Sequence, residues 1–253
     1  MWESYSKNGH NYLVNPQSGG TAPVERSRAR LAVAVLTAVM VTVALSGCGG
    51  SQFTYVRDDD GNTYFKIPSS WRKVDQQALD TTVFGDQSSA TAQLENQLSW
   101  TVAYDAHERP EPTHLLGGAE DEPFVFAKVQ KLLPEESNQA SLDTLRNAVG
   151  IPVAVPDETR KQLEETPGIP FKGFELLADE VLPQRDGIRG VRVIYNYRVG
   201  GGPVQTFDQT AYLGQDGTTV HVMLLRCSAQ CYKKRAEEFD VIAKSFTVKG
   251  QIG

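Results

Sequence analysis

The chain has 253 residues, of which 40% are hydrophobic, so it can form a globular core of one or two domains. Its net charge is −6, and because residues 1–47 contain four basic and two acidic residues, the rest has a net charge of −8. Phosphate binding needs clustered Lys and Arg, so this acidic balance excludes nucleic acid as a partner. It also argues against attraction to anionic lipid headgroups.

The N-terminal segment has the pattern of an export signal. Arg26, Arg28 and Arg30 precede an apolar run, LAVAVLTAVMVTVAL, at residues 31–45. A helix of this length rises about 22 Å, whereas the hydrocarbon core of a bilayer is about 30 Å thick. The run therefore indicates a signal peptide in preference to a permanent span. An uncleaved signal anchor remains the alternative.

The sequence LSGC at residues 45–48 follows directly and resembles the bacterial lipobox. In that motif the cysteine thiol receives a diacylglyceryl group, and a signal peptidase then cleaves before the cysteine. The resemblance implies a lipoprotein signal peptide at residues 1–47 and a lipidated (palmitate-bearing) N-terminus at Cys48. Acyl chains would then join the protein to the membrane. The signal is unusually long, which suggests that translation starts at Val24.

The remaining chain predicts a short tether and one α+β domain. Residues 48–52 form the tether, and residues 53–253 form the domain. Its first 19 residues, 53–71, read as a β-hairpin with its turn at Asp60-Gly61-Asn62. Trp71 is the last residue of this segment, and it is predicted to lie in the core or to close the hairpin, without contacting a ligand. The acidic turn lacks the ligand spacing of a calcium loop.

The rest of the domain alternates strand and helix signals. Three strands joined by glycine-containing turns predict an antiparallel meander near the C-terminus, and an amphipathic helix follows it. In that helix Lys233 and Glu237, and Lys234 and Glu238, are spaced to pair. The predicted helices lie at 72–82, at 141–149, after Pro156 and at 232–246, and the strands at 98–106, 123–133, 189–199, 204–213 and 218–227.

This pattern predicts an antiparallel sheet with helices packed on it. The segments YFKIPSSW at residues 64–71 and FDVIAKSFTV at residues 239–248 resemble the PsbP-like family, which includes extrinsic photosystem proteins and exported bacterial lipoproteins. In element order the resemblance covers most of residues 53–248. It implies an α/β/α sandwich and a non-catalytic binding or assembly role. It assigns no catalytic residue.

The segment 107–122 is the densest set of possible metal ligands. It does not have the H-E-x-x-H spacing of a helical zinc site. We interpret it as a solvated acidic loop, with a low-affinity cation site as the alternative, and the sequence predicts no metal and no cofactor. The residues concerned are His107, Glu108, Glu111, His114, Glu120, Asp121 and Glu122.

His221 lies on the third strand of the predicted meander. Tyr195, Tyr197 and Tyr212 lie on the neighbouring strands, and cross-strand neighbours can line a pocket. His221, Tyr195 and Tyr212 are therefore the candidate ligand-facing residues. A core histidine whose ring nitrogens are satisfied by a hydroxyl or a carbonyl is the alternative.

Cys227 and Cys231 remain once Cys48 is assigned to lipid. In an exported protein we expect them to form a disulfide between the last meander strand and the final helix. A redox pair is the first alternative, since Lys233 and Lys234 could stabilise a thiolate. Free thiols and a zinc site are the others, although no further Cys or His lies nearby in sequence.

These observations predict an exported, lipid-anchored protein of the cell envelope. It would act as a non-catalytic module that binds an unknown protein or small molecule at the outer face of the cytoplasmic membrane. An envelope hydrolase, or another enzyme that uses His221 or the 107–122 loop, is the alternative. The chain contains no G-x-S-x-G, Walker A or G-x-G-x-x-G motif.

Overall fold

The structure, a computed structural model, describes residues 51–119 and 121–250. The predicted signal peptide at residues 1–47, the lipidation site Cys48 and the suggested start at Val24 lie outside the described residues. Glu120 of the acidic loop does so as well. Among the helices that are described, none is long and apolar enough to cross a membrane.

Within the described residues, two antiparallel sheets form the framework, and helices pack on both faces of the larger one. This confirms the α+β prediction. The elements in chain order are β1 (Phe53–Arg57), β2 (Thr63–Pro68), β3 (Arg72–Lys73), α1 (Gln76–Phe84), α2 (Ala90–Gln97), β4 (Ser99–Asp105), a 3-10 turn (Pro112–Leu115), β5 (Phe124–Lys131), α3 (Pro134–Gln139), α4 (Leu142–Arg146), α5 (Asp157–Glu165), β6 (Phe171–Arg185), β7 (Ile188–Val199), β8 (Val204–Leu213), β9 (Thr219–Ser228), α6 (Ala229–Lys234), α7 (Ala236–Ser245) and β10 (Thr247–Val248).

The large sheet has seven strands in the order β3-β4-β5-β9-β8-β7-β6, and the small sheet has the order β1-β2-β10. The predicted meander is β7, β8 and β9, paired antiparallel in sequence order. Its register places Tyr212 opposite both Gly190 and His221. A Cβ atom on Gly190 would lie 2.4 Å from the Tyr212 ring, so only glycine fits beneath this tyrosine.

Different elements pack against the two faces of the large sheet. We call the side under the small sheet and α7 the front face. There the apolar side chains of β4, β5 and β9 pack against β1, β2 and α7. Trp71 belongs to this core at 5% exposure, as predicted. The back face packs against Leu79 of α1, Leu145 of α4 and the segment around Ile151.

The C-terminal segment that resembles the PsbP-like family ties α7 to the small sheet. Ser245 Oγ accepts a hydrogen bond from the backbone N–H of Lys66 on β2 at 3.0 Å. Phe246 packs edge-on against Phe65, with ring centroids 6.2 Å apart, and also contacts Tyr212 on the large sheet at 5.8 Å. These contacts close one half of the front face.

The prediction of a single final helix is wrong. The chain breaks at Arg235, whose φ of −116° and ψ of 21° separate α6 from α7. Ser228 caps α6 at the end of β9, whereas α7 packs across the sheet, so one straight helix cannot satisfy both positions. Glu238 pairs with Arg235 at 2.8 Å and not, as the spacing suggested, with Lys234.

Candidate functional site

His221 connects the large sheet to the turn of the first hairpin. Its Nδ1 lies 2.8 Å from the hydroxyl of Thr63 on β2. The Thr63 hydroxyl donates to Asp58 Oδ2 at 3.3 Å, so it accepts from the Nδ1–H of His221. Asp58 also accepts the backbone N–H groups of Asn62 and Thr63, at 2.8 and 2.9 Å. The turn of the hairpin is therefore fixed by its own aspartate.

Burial lowers the pKa of His221 to about 4, against the opposing effect of the carboxylates of Asp58 and Asp216. The ring is therefore neutral at neutral pH. This matches the interpretation of a core histidine satisfied by a hydroxyl. His221 also lines a small cavity of about 150 Å³, together with Asp58, Lys131, Asp216 and Lys249.

The Tyr212 side chain lies beside His221, and it lines a much larger space, which we call the front groove. The groove has a volume of about 1130 Å³ and lies between β6, β8, α7 and β10. It meets the small cavity at Val248 and Lys249, which line both. Both apolar and charged side chains line it. Its lining includes Glu180, Leu182, Arg192, Thr210, Tyr212 and Lys244.

Arg192 joins the floor of the groove to α7. Its Nε and Nη2 donate to Asp208 at 3.0 and 2.7 Å, and its Nη1 donates to Asp240 at 2.9 Å. The hydrogen bonds to Asp208 are the main reason that the pKa of Arg192 is raised. Tyr232 of α6 donates its hydroxyl to the same aspartate at 2.8 Å. Two carboxylates thus balance this guanidinium, so it acts as a structural link.

Thr210 supplies a polar group that the fold itself does not use. The residue is only 2% exposed, it lines the front groove, and its Oγ1 has no hydrogen-bond partner within residues 51–119 and 121–250. A buried hydroxyl left unpaired is costly. The Oγ1 atom is itself enclosed by the fold, however, so a ligand in the groove does not reach it. Burial raises the pKa of the neighbouring Tyr212, so its hydroxyl stays protonated and can donate.

Tyr195 lies on the other face of the sheet. Its cross-strand partner is Phe207, and the two rings stack with centroids 5.5 Å apart in the back core. It is fully buried, and this burial raises the pKa of Tyr195 well above its usual value. Tyr197, two residues along, also faces the back core and donates its hydroxyl to the Pro152 carbonyl. The structure therefore brings Tyr212 and His221 together and keeps Tyr195 apart from them.

The acidic loop is organised by Asp105, a residue that the sequence analysis missed. Asp105 is completely buried at the end of β4 and accepts a hydrogen bond from His114 Nδ1 at 2.6 Å. It also accepts the backbone N–H groups of His107 and Glu111. The His107 ring packs edge-on against His114 at 5.1 Å. The sequence does place an Asp at the end of a strand, just before a loop that contains two histidines, and this pattern could have predicted that the Asp pairs with one of them.

Two other acidic residues of this loop make different contacts. The Asp121 carboxylate accepts a hydrogen bond from the Ser228 hydroxyl at 2.6 Å, and the backbone carbonyl of Glu108 accepts one from the Arg72 guanidinium at 2.5 Å. Across the part of the chain that the structure describes, no group of three or more His, Cys, Asp or Glu side chains could hold a metal ion. Hydrogen bonds to Asp105 and Asp121 hold this loop in place, and His114 is buried within it.

Cys227 and Cys231 form the predicted disulfide, with their Cα atoms 5.8 Å apart. Both residues are buried in the front core. The backbone N–H of Cys231 donates to Ser228 Oγ at 3.1 Å, so a cap and a disulfide fix the same corner between β9 and α6. Reactive cysteines are usually accessible, so this burial favours a structural role over redox exchange.

Comparison with known proteins finds no matching family model and no matching curated protein. Several solved structures are similar. A cyanobacterial PsbP (CyanoP) from Synechocystis sp. PCC 6803 shows 16% identity and a TM-score of 0.46, covering 80% of this chain and 96% of its own. It belongs to the family that the sequence resembles.

Two further structures complete the comparison. LpqN, involved in cell envelope biogenesis of Mycobacterium tuberculosis, shows 14% identity and a TM-score of 0.40, over 78% of this chain and 91% of its own. The Saccharomyces cerevisiae Ran-binding protein Mog1p shows 10% identity and a TM-score of 0.40, over 78% and 96%. Because every TM-score is below 0.5, none of these functions transfers to this chain.

Proposed function

We propose that this protein is exported and anchored by lipid at Cys48 to the outer face of the cytoplasmic membrane. Its folded part would act there as a non-catalytic binding or assembly module whose ligand occupies the front groove. The front groove is the observation that carries this proposal. Ligand sites are typically concave and largely apolar, with a few converging polar groups, and the Tyr212 hydroxyl with the charged side chains of Glu180 and Lys244 provides such groups.

The proposed location rests on the N-terminal sequence. Three arginines, an apolar run too short to span a bilayer comfortably and the sequence LSGC occur in the order of a lipoprotein signal. Residues 48–52 reach at most about 18 Å when extended. The domain would therefore stay close to the membrane surface. A disulfide between Cys227 and Cys231 is in keeping with an oxidising compartment.

Binding is favoured over catalysis by the surroundings of His114 and His221, both of which are buried. In a Ser–His–Asp triad the imidazole stands between the acid and the hydroxyl. Here the Thr63 hydroxyl stands between Asp58 and His221, so the ring is not placed to receive a proton and pass its charge to the acid. His114 does contact an acid, Asp105, but both are buried and hold the acidic loop in place.

Replacing Cys48 tests the anchor. We expect the wild-type chain, expressed in a bacterium that processes lipoproteins, to partition into the detergent phase at the mass of the chain from Cys48 plus acyl groups. Cys48→Ala should remain uncleaved or enter the aqueous phase, because alanine has no thiol to acylate. Ser51→Ala is the matched control and should behave as wild type. A Cys48→Ala protein of mature size in the detergent phase would refute the anchor.

Obstructing the groove tests the binding role. Leu182 stands half-buried at the rim, so Leu182→Trp should narrow the groove, whereas Val241→Trp adds the same side chain to the exposed surface of α7. Native mass spectrometry of each protein, purified from its own host's membranes, should detect a bound mass in wild type and Val241→Trp only. Equal occupancy in Leu182→Trp, or no bound mass in any of the three, would contradict the proposal.

A further inference from the structure

Strand β6 is an open edge of the large sheet. It has 15 residues, and within residues 51–119 and 121–250 its only strand partner is β7. Residues 175–181 are exposed on both faces. Three of them are large apolar residues, namely Leu176, Leu177 and Val181, with exposures of 49%, 48% and 57%. A long edge with exposed apolar side chains is a ready template for another strand.

Only part of this edge is regular enough to accept a strand. The register between β6 and β7 shifts between Leu176 and Ala178 and again between Leu182 and Arg185. Between these shifts the register is uninterrupted from Ala178 to Leu182. Nearer its start, β6 is covered by α5, where Arg160 stacks on Phe174 and Glu164 accepts the N–H of Phe174. The segment Ala178–Leu182 is therefore the accessible window.

This window forms one rim of the front groove. Glu180 and Leu182 face the front and line the groove, and Val181 faces the back beyond the buried Val191. Successive side chains of a strand point to opposite faces, so a strand added here would place every second side chain over the groove. The edge and the groove would then bind one ligand together.

The charge of the edge favours a strand from another polypeptide over a second copy of this chain. If two copies of this chain paired antiparallel across the window about a two-fold axis, Glu180 would lie opposite Glu180 of the other copy, and like charges directly opposite are destabilising. The exposed stretch contains no basic residue. Of its carboxylates, Asp179 pairs with Arg146 at 2.9 Å and Glu175 accepts from Asn196 at 2.8 Å, which leaves Glu180 to pair with a partner strand. A foreign strand with a basic side chain opposite Glu180 and an apolar one opposite Val181 fits better.

We propose that the ligand of the front groove is an extended segment of another polypeptide, with alternating basic and apolar side chains, which adds as a strand to residues Ala178–Leu182. This inference rests on the proposed binding role of the groove and names its partner class. Backbone hydrogen bonds to β6 would supply affinity, and alternate side chains over the groove would supply specificity.

A synthetic peptide tests this proposal directly. The probe is a short peptide of alternating Val and Lys, blocked at both ends, titrated into the detergent-solubilised full-length protein. We expect saturable binding that weakens about tenfold in Glu180→Lys, because an attractive cross-strand pair becomes a repulsive one. Glu95→Lys makes the same charge change on α2, near the opposite edge of the sheet, and should leave the affinity unchanged.

Backbone methylation separates strand addition from simple charge attraction. In a strand, the N–H groups of alternate residues point to the same side, so either the Val amides or the Lys amides would face β6. One peptide is N-methylated at every Val and a second at every Lys. Strand addition predicts that one of them loses binding at least tenfold while the other retains it.

The inference would be overturned by no binding of the parent peptide, by equal effects of the two methylation patterns, or by equal effects of the two charge reversals. A wild-type dimer in sedimentation that dissociates in Glu180→Lys would instead make a second copy the occupant and overturn it too. A small molecule found in the groove of the native protein, with no peptide binding, would refute strand addition and leave the proposed binding role intact.

Discussion

The two halves of the front face differ although they belong to the same side of one sheet. Over β4, β5 and β9 the face is apolar, and the small sheet and α7 cover it. Over β6, β7 and β8 it contains Glu180, Arg192, Thr210 and Tyr212, and much of it opens into the front groove. The comparison indicates that the covered half stabilises the fold and that the open half is available to a ligand.

The largest expected difference between the halves comes from truncating a core aromatic. Trp71 lies in the covered half at 5% exposure, so Trp71→Ala should cost about 3–5 kcal/mol of unfolding free energy. Leu182→Ala removes a half-buried side chain from the groove rim and should cost less than about 1 kcal/mol. Thermal unfolding of the two variants measures this. Similar losses would remove the distinction between the halves.

The boundary between the halves should respond to pH through His221. Its pKa of about 4 in the folded protein is below its ordinary value of 6.5, so the folded state disfavours the protonated ring. Stability from this group is complete above pH 6.5, falls as the unfolded chain takes up the proton, and levels off below pH 4. The total loss is about 3 kcal/mol.

Urea unfolding at several pH values between 7 and 4 measures the contribution of His221. His221→Asn keeps a polar group near Thr63 but cannot titrate, so its stability should depend less steeply on pH than that of wild type. Parallel pH profiles for the two proteins would mean that the ring is not held neutral at the contact with Thr63.

The smallest of the three expected losses of unfolding free energy comes from removing the disulfide between β9 and α6. The disulfide closes only five residues, so replacing both Cys227 and Cys231 with Ala should cost about 2 kcal/mol of unfolding free energy. A reductant should destabilise wild type by a similar amount and leave the double variant unchanged. Ligand occupancy of the groove should survive, since neither cysteine lines it. A loss of occupancy without loss of stability would contradict this assignment.

Strands β4 and β5 and the meander strands β7, β8 and β9 could be predicted because the burial of their side chains produces a regular pattern of apolar residues. The meander alternates or is apolar on both faces, and glycine turns mark its ends. Strand β6 gave no such signal, because residues 175–181 are exposed on both faces and the strand contains Gly173, Pro183 and three register shifts. The pattern that reveals a strand comes from burial, so an exposed edge strand does not produce it.

The candidate site was predictable only in part, for a related reason. Tyr212 and His221 were chosen because they lie on adjacent meander strands, and the register places them opposite each other. Tyr195 was chosen with them, but the turn between β7 and β8 pairs it with Phe207 on the back face. Which face a residue occupies depends on turn geometry. Thr63 was missed because its partner His221 is 158 residues away in sequence. Asp105 is close to His114 in sequence, and it was missed because the last residue of a strand was expected to belong to the sheet and not to the loop that follows.

Hydrogen exchange would test most directly whether the open half binds a ligand. The wild-type protein and Leu182→Trp, both purified from native membranes in mild detergent, would be compared segment by segment. A ligand in the front groove predicts slower amide exchange in wild type at residues 178–188 and 243–250, with no difference in β4 and β5. Identical exchange at the groove, or protection confined to β4 and β5, would contradict the account.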